Sequence, residues 1–250
     1  MTNFSNRSLS TKRALVIAHD PSGGAAMIGA RLIKRGFCID EHIVCADLQR
    51  PDLHAPFPTN VNDYDLVVVM GSSWSVYDEA SIGGWINEEL ALIRFAHESG
   101  VPMLGVCFGG QAIAAALGGT VALAPHTEIG WFDIDPVATT QASNRPVDCG
   151  PWFQLHHDAF TVPPSAEILA TTRAGAQLFR VGRTAGTQFH PEVDPEHLEG
   201  FLADTTDEYL NEYGVCRATL VAQTADHHAA ARQRCNDFVD WFLADVAQLP

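Results

Sequence analysis

The segment that most constrains what this chain can fold into is Val101 to Gln111, where an apolar run leads into a cysteine followed by paired glycines. We interpret it as a buried strand that ends at Val106 and passes through Cys107 into an Ala-rich helix. Such a sharp strand-to-helix turn is where α/β enzymes place nucleophiles. A helix N-terminus also favours a thiolate. The segment predicts an α/β fold with Cys107 as candidate nucleophile, and the alternative is a buried core cysteine.

The length and composition fit a folded α/β chain. Its 250 residues are 46% hydrophobic and 18% charged, which suits one well-packed domain. We expect residues 1–12, which are polar and lack an apolar core, to form a disordered leader, and residues 13–250 to form the domain. The formal charge of −15 argues against nucleic acid and anionic membrane surfaces as partners, because both require a basic footprint.

Cysteine usage and hydropathy favour a reducing cytoplasm. The six cysteines form neither a CxxC pair nor a dense framework, which disfavours a disulfide scaffold and a zinc module. No run of the sequence is long and apolar enough to span a bilayer. The pairs His156-His157 and His227-His228 make no chelate by themselves, because neighbouring side chains diverge on strands and helices. We expect no metal, and without a phosphate-loop motif we expect no cofactor.

The first half of the chain alternates strands with helices. The Asp65–Met70 run is continuously apolar, as in a central parallel strand buried on both faces. This alternation predicts a doubly wound, mostly parallel sheet with its site at the carboxyl ends of the strands, where Gly71 and Cys107 both fall. Strands are predicted at Arg13–His19, Phe37–Ala46, Asp65–Met70 and Val101–Val106, and helices from the first loop to Arg35 and at Ser81–Ser99.

After Gly119 the pattern changes to short strands joined by tight turns, which predicts a small antiparallel extension of the same core. These strands are predicted at 120–123, 130–138, 152–157, 167–171, 177–181 and 184–189. Helices return at 195–213 and 226–246, the latter amphipathic, and 214–224 stays unassigned. A helical C-terminal extension is therefore predicted from about residue 194.

A second candidate segment, Thr187 to Glu192, is an apolar strand that ends in His, Pro and an acid. A histidine within hydrogen-bond reach of a thiol can remove its proton and later protonate a leaving amine. Glu192, with Pro191 fixing the backbone between them, is placed to hold the other ring nitrogen of His190 in the right tautomer. The alternative is that His190 only caps a strand and Glu192 is a surface acid.

Together these segments resemble the class I glutamine amidotransferases. That family's glutaminase domain carries a G-x-C-x-G-x-Q nucleophile turn, here Gly105 to Gln111, and a later H-P-E segment, here His190 to Glu192. Its oxyanion loop, usually G-G-P-x-S-V-x-D, is similar to Gly71 to Asp78, which reads GSSWSVYD. The resemblance covers roughly residues 13–192. It implies the flavodoxin-like glutaminase fold, in a stand-alone member similar to the glutaminase domain of GMP synthetase.

The resemblance implies a reaction. Cys107 attacks the side-chain amide carbon of glutamine, His190 shuttles the proton and Glu192 orients His190. Ammonia leaves, and water then hydrolyses a γ-glutamyl thioester. Backbone N–H groups of Ser72 and Phe108 hold the oxyanion.

Substrate contacts are implied at three further positions. Gly71 opens the oxyanion loop, and Gln111 matches the family residue that contacts the glutamyl portion of the substrate. Leu155 to Asp158 is a looser match to a family S-H-G-D segment, in which the Asp binds the α-amino group. His157 stands where that segment commonly has Gly, which makes the choice of substrate an open question.

The oxyanion loop also departs from the family pattern. Ser72 and Ser73 replace the usual Gly and Pro. Since only a backbone N–H is needed, the donor can survive, but the loop is free to flip differently. Whether the oxyanion hole is preformed is therefore left open.

The leading prediction is hydrolysis of the side-chain amide of glutamine or a related γ-glutamyl compound. One alternative is a glutaminase subunit or binding module that is active only with a separate synthase partner. A peptidase or deglycase-like hydrolase of the wider cysteine-nucleophile superfamily is disfavoured, because those relatives place His directly after the Cys, where this chain has Phe108.

Overall fold

An eight-stranded sheet forms the centre of the protein, in a computed structural model that describes residues 12–137, 147–203 and 205–249. The predicted leader lies outside these residues except for Lys12, which begins the first strand. The strands are β1 (Lys12–Ala18), β2 (Phe37–Ile43), β3 (Leu66–Val69), β4 (Met103–Val106), β5 (Val121–Phe132), β6 (Asp135–Pro136), β7 (Trp152–Phe160), β8 (Glu167–Thr172), β9 (Gly175–Val181) and β10 (Thr184–Thr187). The helices are α1 (Ala26–Lys34), α2 (Glu79–Ile82), α3 (Ile86–Glu98), α4 (Phe108–Ala116), α5 (Pro195–Ala203), α6 (Asp207–Glu212) and α7 (Arg217–Trp241).

The sheet order is β2-β1-β3-β4-β10-β9-β8-β6. The first five strands run parallel and the last three are antiparallel additions. A separate antiparallel pair, β5 with β7, lies beside the sheet. The predicted doubly wound, mostly parallel sheet with a small antiparallel extension is confirmed. The strand order reverses between β1 and β3, which is where open α/β sheets form their crevice.

The strands bury both faces because successive side chains point to opposite sides. Along β1, Ala14 and Val16 face the core that packs against α1 and α7. Leu15 and Ile17 face the other core, which packs against α3 and α4. All four side chains are 2% exposed or less, so β1 is apolar throughout rather than alternating. No helix in the described part of the chain has the length and apolar character to cross a membrane.

Helix α4 lies unusually close to the sheet at its first turn. A Cβ on Gly109 would lie 2.0 Å from the carbonyl oxygen of Val69, and one on Gly110 would lie 2.4 Å from that of Thr187. Only glycine permits this backbone-to-backbone approach. The start of α4 is therefore fixed by main-chain atoms of β3 and β10.

Two predicted helices are each two helices in the structure. The helix predicted at 81–99 divides into α2 and α3 around Gly83 and Gly84, because glycine has low helix propensity and α2 is started separately by the side chain of Asp78. The helix predicted at 195–213 divides into α5 and α6. Thr206 caps α6, its side chain accepting from the N–H of Tyr209.

The boundaries of some other strands and helices were also predicted wrongly. The strand predicted at 120–123 and the start of the one predicted at 130–138 form a single strand, β5, which pairs with β7 through an irregular register between Leu123 and Glu128. The rest of the second prediction contains β6, and its last residue, 138, lies outside the described residues. The last helix begins at Arg217 rather than at Asp226, so most of the unassigned 214–224 is helical. Its early start is supported by Arg217, whose guanidinium donates to the carbonyl oxygen of Leu202 at 3.0 Å.

Candidate active site

Cys107 occupies the turn between β4 and α4 that the sequence predicts. Its φ is 51° and its ψ is −108°, a backbone conformation that L-residues other than glycine rarely adopt. Two main-chain hydrogen bonds hold it there, from Cys107 N–H to the Thr187 carbonyl at 2.8 Å and from Gln111 N–H to the Cys107 carbonyl at 2.9 Å. Strain of this kind is typical of nucleophile turns.

His190 and Glu192 form a buried pair at the end of the neighbouring strand. Nδ1 of His190 donates to Oε1 of Glu192 at 2.7 Å, and the backbone N–H of His190 donates to the Phe153 carbonyl at 2.8 Å. Nε2 of His190 has no partner among the described residues. Burial alone would lower the pKa of His190, but the charges of Glu192 and Cys107 raise it to about 10.

Gly71 brings the histidine and the cysteine together. A Cβ on Gly71 would lie 3.1 Å from Cε1 of His190 and 3.9 Å from Cβ of Cys107, so both side chains pack against this glycine. A side chain at residue 71 would push into the imidazole. The next residue, Ser72, and Phe108 both line the pocket around Cys107.

Asp158 and Gln111 lie in the same pocket. The hydroxyls of Ser75 and Tyr77 donate to the two oxygens of the Asp158 carboxylate at 2.5 and 2.8 Å. Gln111 donates to Oε1 of Gln188 at 3.2 Å. These contacts fix the direction of both side chains.

Gln188 links the predicted substrate residues to the nucleophile. Its Nε2 donates to Sγ of Cys107 at 3.5 Å while its Oε1 accepts from Gln111. Sequence reasoning gave no role to Gln188 or Ser75 and took Tyr77 for core or pocket wall. All three lie inside the candidate segments 71–78 and 187–192, so their position was the available signal.

His157 contacts the C-terminal extension. Its Nε2 meets the Tyr209 hydroxyl of α6, and its Nδ1 lies 3.1 Å from Oγ1 of Thr127. Burial lowers the pKa of His157, which favours its neutral ring. On the other side of the site, the edge of Phe201 packs against His190 with ring centroids 5.3 Å apart. Helices α5 and α6 therefore cover the site.

These elements enclose a pocket of about 520 Å³. Every predicted site residue except Glu192 lines it, and the loop after β1 adds Asp20, Ser22 and Gly23. No lysine or arginine in the described part of the chain lines this pocket. Nor do the described residues bring together three His, Cys, Asp or Glu side chains that could hold a metal ion. The arrangement offers a candidate nucleophile, a candidate proton carrier and polar anchors, which suits acyl transfer.

Comparison with known proteins points in the same direction. The profile of the family "Glutamine amidotransferase class-I" matches residues 33–205. One of the subunits of the glutamine-hydrolysing GMP synthase of Saccharolobus solfataricus is 32% identical over 181 residues, which is 69% of this chain and 87% of that protein. The GMP synthase of Mycobacterium marinum is 38% identical over 98 residues, covering 38% of this chain and 18% of that longer protein.

Solved structures share the fold. A glutamine amidotransferase from Thermotoga maritima has a TM-score of 0.79 at 23% identity, covering 93% of this chain and 98% of that one. A second, from Methylobacillus flagellatus, has a TM-score of 0.80 at 23% identity, covering 95% and 96%. The family match spans most of the chain and includes the nucleophile turn and the His-Pro-Glu segment. The chain belongs to the class-I glutamine amidotransferase family.

Proposed function

We propose that the protein hydrolyses the side-chain amide of glutamine or a related γ-glutamyl compound through Cys107, His190 and Glu192. The observation that carries this proposal is the state of the His190 ring. One nitrogen is held by Glu192 at 2.7 Å, and the other has no partner among the described residues and belongs to a ring packed beside Cys107. A histidine can pass a proton only through a nitrogen that is not otherwise engaged.

The reaction proceeds in two halves. The sulfur of Cys107 bonds to the amide carbon, the carbonyl oxygen becomes an oxyanion facing the N–H groups of Ser72 and Phe108, and His190 delivers the thiol proton to the leaving nitrogen. Ammonia or an amine departs and leaves a γ-glutamyl thioester. Water then attacks the thioester and gives a proton to His190, which returns it to the sulfur as the acid is released.

Asp158 is proposed to bind the α-amino group of the substrate, and Gln111 to position its glutamyl chain. The Asp158 carboxylate keeps acceptor capacity beyond the single hydrogen bond on each oxygen. The pocket extends past Cys107 to Asp20, Ser22 and Gly23. This extra space supports substrates whose leaving group is an amine larger than ammonia.

The proposal is tested by measuring release of ammonia and amines from glutamine and a set of γ-glutamyl amides. Cys107→Ala should abolish turnover, while Cys149→Ala, at an exposed cysteine outside the pocket, should not change it. A diazo ketone analogue of glutamine should label Cys107, as seen by peptide mass spectrometry. Equal turnover by wild type and Cys107→Ala, or labelling at another cysteine, would rule the proposal out.

A second candidate is a glutaminase subunit that works only with a separate synthase. The similarity to one subunit of a GMP synthase favours it. If the protein releases ammonia from glutamine only after the synthetase component of a GMP synthase is added, this candidate replaces free hydrolysis. Full turnover by the protein alone excludes it.

A further inference from the structure

A second buried histidine contacts the same glycine as His190. His19 follows β1 and is fully buried. Its ring is stacked on Trp85 at a centroid distance of 5.6 Å and makes a T-shaped contact with Phe108 at a centroid distance of 4.5 Å. Its Nδ1 lies 2.9 Å from the carbonyl oxygen of Gly71. Its Nε2 lies 3.0 and 3.2 Å from the two carboxylate oxygens of Glu89 on α3.

These contacts determine where the protons are. A carbonyl oxygen only accepts, so Nδ1 must carry a hydrogen and donate it to Gly71. Glu89 is also fully buried, and a carboxylate beside Nε2 accepts a hydrogen from that nitrogen as well, which makes the ring an imidazolium. Burial would lower the pKa of His19, and the charge of Glu89 reverses the shift and raises it. Both ring nitrogens are thus engaged, which leaves His19 no capacity for proton transfer.

The contact with the Gly71 carbonyl fixes the direction of the next N–H. In a trans peptide the C=O of one residue and the N–H of the next lie in one plane and point in opposite directions. The Gly71 carbonyl points into the protein towards His19, so the Ser72 N–H points to the other side. Ser72 and Cys107 both line the pocket.

We infer that the His19–Glu89 pair is a positioning device that holds the Gly71–Ser72 peptide with its N–H directed at the oxyanion. This inference rests on the proposed hydrolysis at Cys107. Glycine and serine at positions 71 to 73 leave this loop without a proline to restrain it. His19 supplies that restraint from outside the loop.

The test compares two replacements of His19, asparagine and leucine, whose side chains have nearly the same shape. Both are made in a Glu89→Gln background, which avoids a buried unpaired carboxylate. In His19→Asn/Glu89→Gln the asparagine amide takes about the place of Nδ1 and can donate to Gly71. In His19→Leu/Glu89→Gln the donor is missing. We expect the leucine form to lose about 100-fold in kcat on glutamine with KM little changed, and the asparagine form to recover most of it.

Two inhibitors separate positioning of the peptide from damage to the fold. Iodoacetamide alkylates Cys107 without forming an oxyanion, so its rate should be equal in both forms. The γ-aldehyde analogue of glutamine adds to Cys107 and places an oxygen in the oxyanion hole. The leucine form should therefore bind the aldehyde more weakly, by about the same factor as its kcat falls. Equal kcat in the two forms, or parallel losses for both inhibitors, would overturn the inference.

A crystal structure of the leucine form gives a readout besides activity. The Gly71 carbonyl should leave its original direction in this form and keep it in the asparagine form. An unchanged carbonyl in the leucine form contradicts the inference, whatever the turnover. If wild type neither hydrolyses a γ-glutamyl amide nor binds the aldehyde, the proposed function fails, and the peptide direction still decides the role of His19.

Discussion

Two buried histidine–glutamate pairs contact Gly71, and they differ in how many ring nitrogens they occupy. In the His190–Glu192 pair, Glu192 holds one nitrogen and the described residues leave the other without a partner. In the His19–Glu89 pair, Glu89 holds one nitrogen and the Gly71 carbonyl holds the other. We therefore propose that the same two residue types support proton transfer in one place and positioning in the other.

A third pair strengthens this comparison. Nδ1 of His156 lies 2.9 Å from the Asp158 carbonyl oxygen and Nε2 lies 3.0 Å from Oε2 of Glu128. Both nitrogens are engaged again, and the carbonyl belongs to a residue of the pocket wall. A buried histidine–glutamate pair is therefore no sign of catalysis by itself. Nε2 of His42 and of His197 also lacks a hydrogen-bond partner among the described residues, so the informative feature of His190 is a free nitrogen on a ring that packs beside Cys107.

The largest expected effect separates the first two pairs. His190→Gln removes the proton carrier and should lower kcat on the preferred γ-glutamyl substrate by about 10³-fold or more. This loss should exceed the one expected for His19→Leu/Glu89→Gln by at least about tenfold. Steady-state kinetics of both variants, with folding checked by circular dichroism, measures the ratio. A larger loss at His19 than at His190 would reverse the roles assigned to the two pairs.

A smaller effect concerns pH. The folded-state pKa of His190 is raised from 6.5 to about 10, so its protonated ring stabilises the fold fully below pH 6.5, and this contribution is lost as pH rises towards 10. Glu192→Gln removes the charge that supports the imidazolium. The variant should be less stable than wild type at pH 6, and this gap in the free energy of unfolding should narrow by pH 10.

Urea unfolding of wild type and Glu192→Gln at pH values from 6 to 10 measures this gap. Asp194→Asn, a charge change two residues away, serves as a control for the general loss of an acid. A gap that stays constant over this pH range would show that His190 does not carry the charge.

Asp158→Asn should act mainly on substrate binding. The change keeps an amide oxygen that can accept from one of the two hydroxyls, places the amide NH2 group against the other, and removes the negative charge proposed to face the α-amino group. We expect KM for glutamine to rise by about tenfold or more, with a smaller change in kcat. Ser75→Ala, which leaves the charge in place, is the matched control. A drop in kcat at constant KM would move Asp158 into the group that acts on the transition state.

The smallest effect is expected for an ion pair that contacts no histidine. Arg31 of α1 and Arg35, which directly follows this helix, donate to Oδ1 of Asp240 on α7 at 2.8 and 2.7 Å. Burial would raise the pKa of Asp240, but the two guanidinium groups lower it to about 2. The contribution of the ionised Asp240 to the stability of the fold is present above about pH 4 and is lost as pH falls towards 2.

Because this pair is partly exposed, Asp240→Asn should cost only about 1 kcal/mol of unfolding free energy at pH 7. Turnover should not change. Thermal unfolding and an activity assay check both statements, and a loss of turnover would mean that the α1–α7 contact reaches the site.

Much of the fold follows from local signals in the sequence. The continuous apolar run that becomes β3 and the change of pattern after Gly119 predict the parallel sheet and its antiparallel extension. The nucleophile turn is equally local, because a strand, a cysteine and glycines follow one another directly. Helix boundaries were less predictable, since Gly83 and Gly84 divide a segment whose apolar residues otherwise keep helical spacing.

The positioning pair could not be predicted in this way. His19 and Glu89 are 70 residues apart, and each alone is one of many histidines and acids in the chain. The contact between His157 and Tyr209 is similarly distant, at 52 residues. Nothing local predicts that α6 turns back over the pocket. The sequence did place a polar residue directly after the buried strand β1, and this is the signal that could have drawn attention to His19.

The close approach of α4 to the sheet has a consequence for how such a protein can change over evolutionary time. The position of Cys107 depends on main-chain contacts at Gly109 and Gly110, so most exchanges of core side chains leave the nucleophile where it is. The pocket walls, by contrast, come from loops and from a C-terminal extension whose side chains can be exchanged freely. Divergence within this architecture is therefore expected to produce new substrate preferences long before it produces a new reaction.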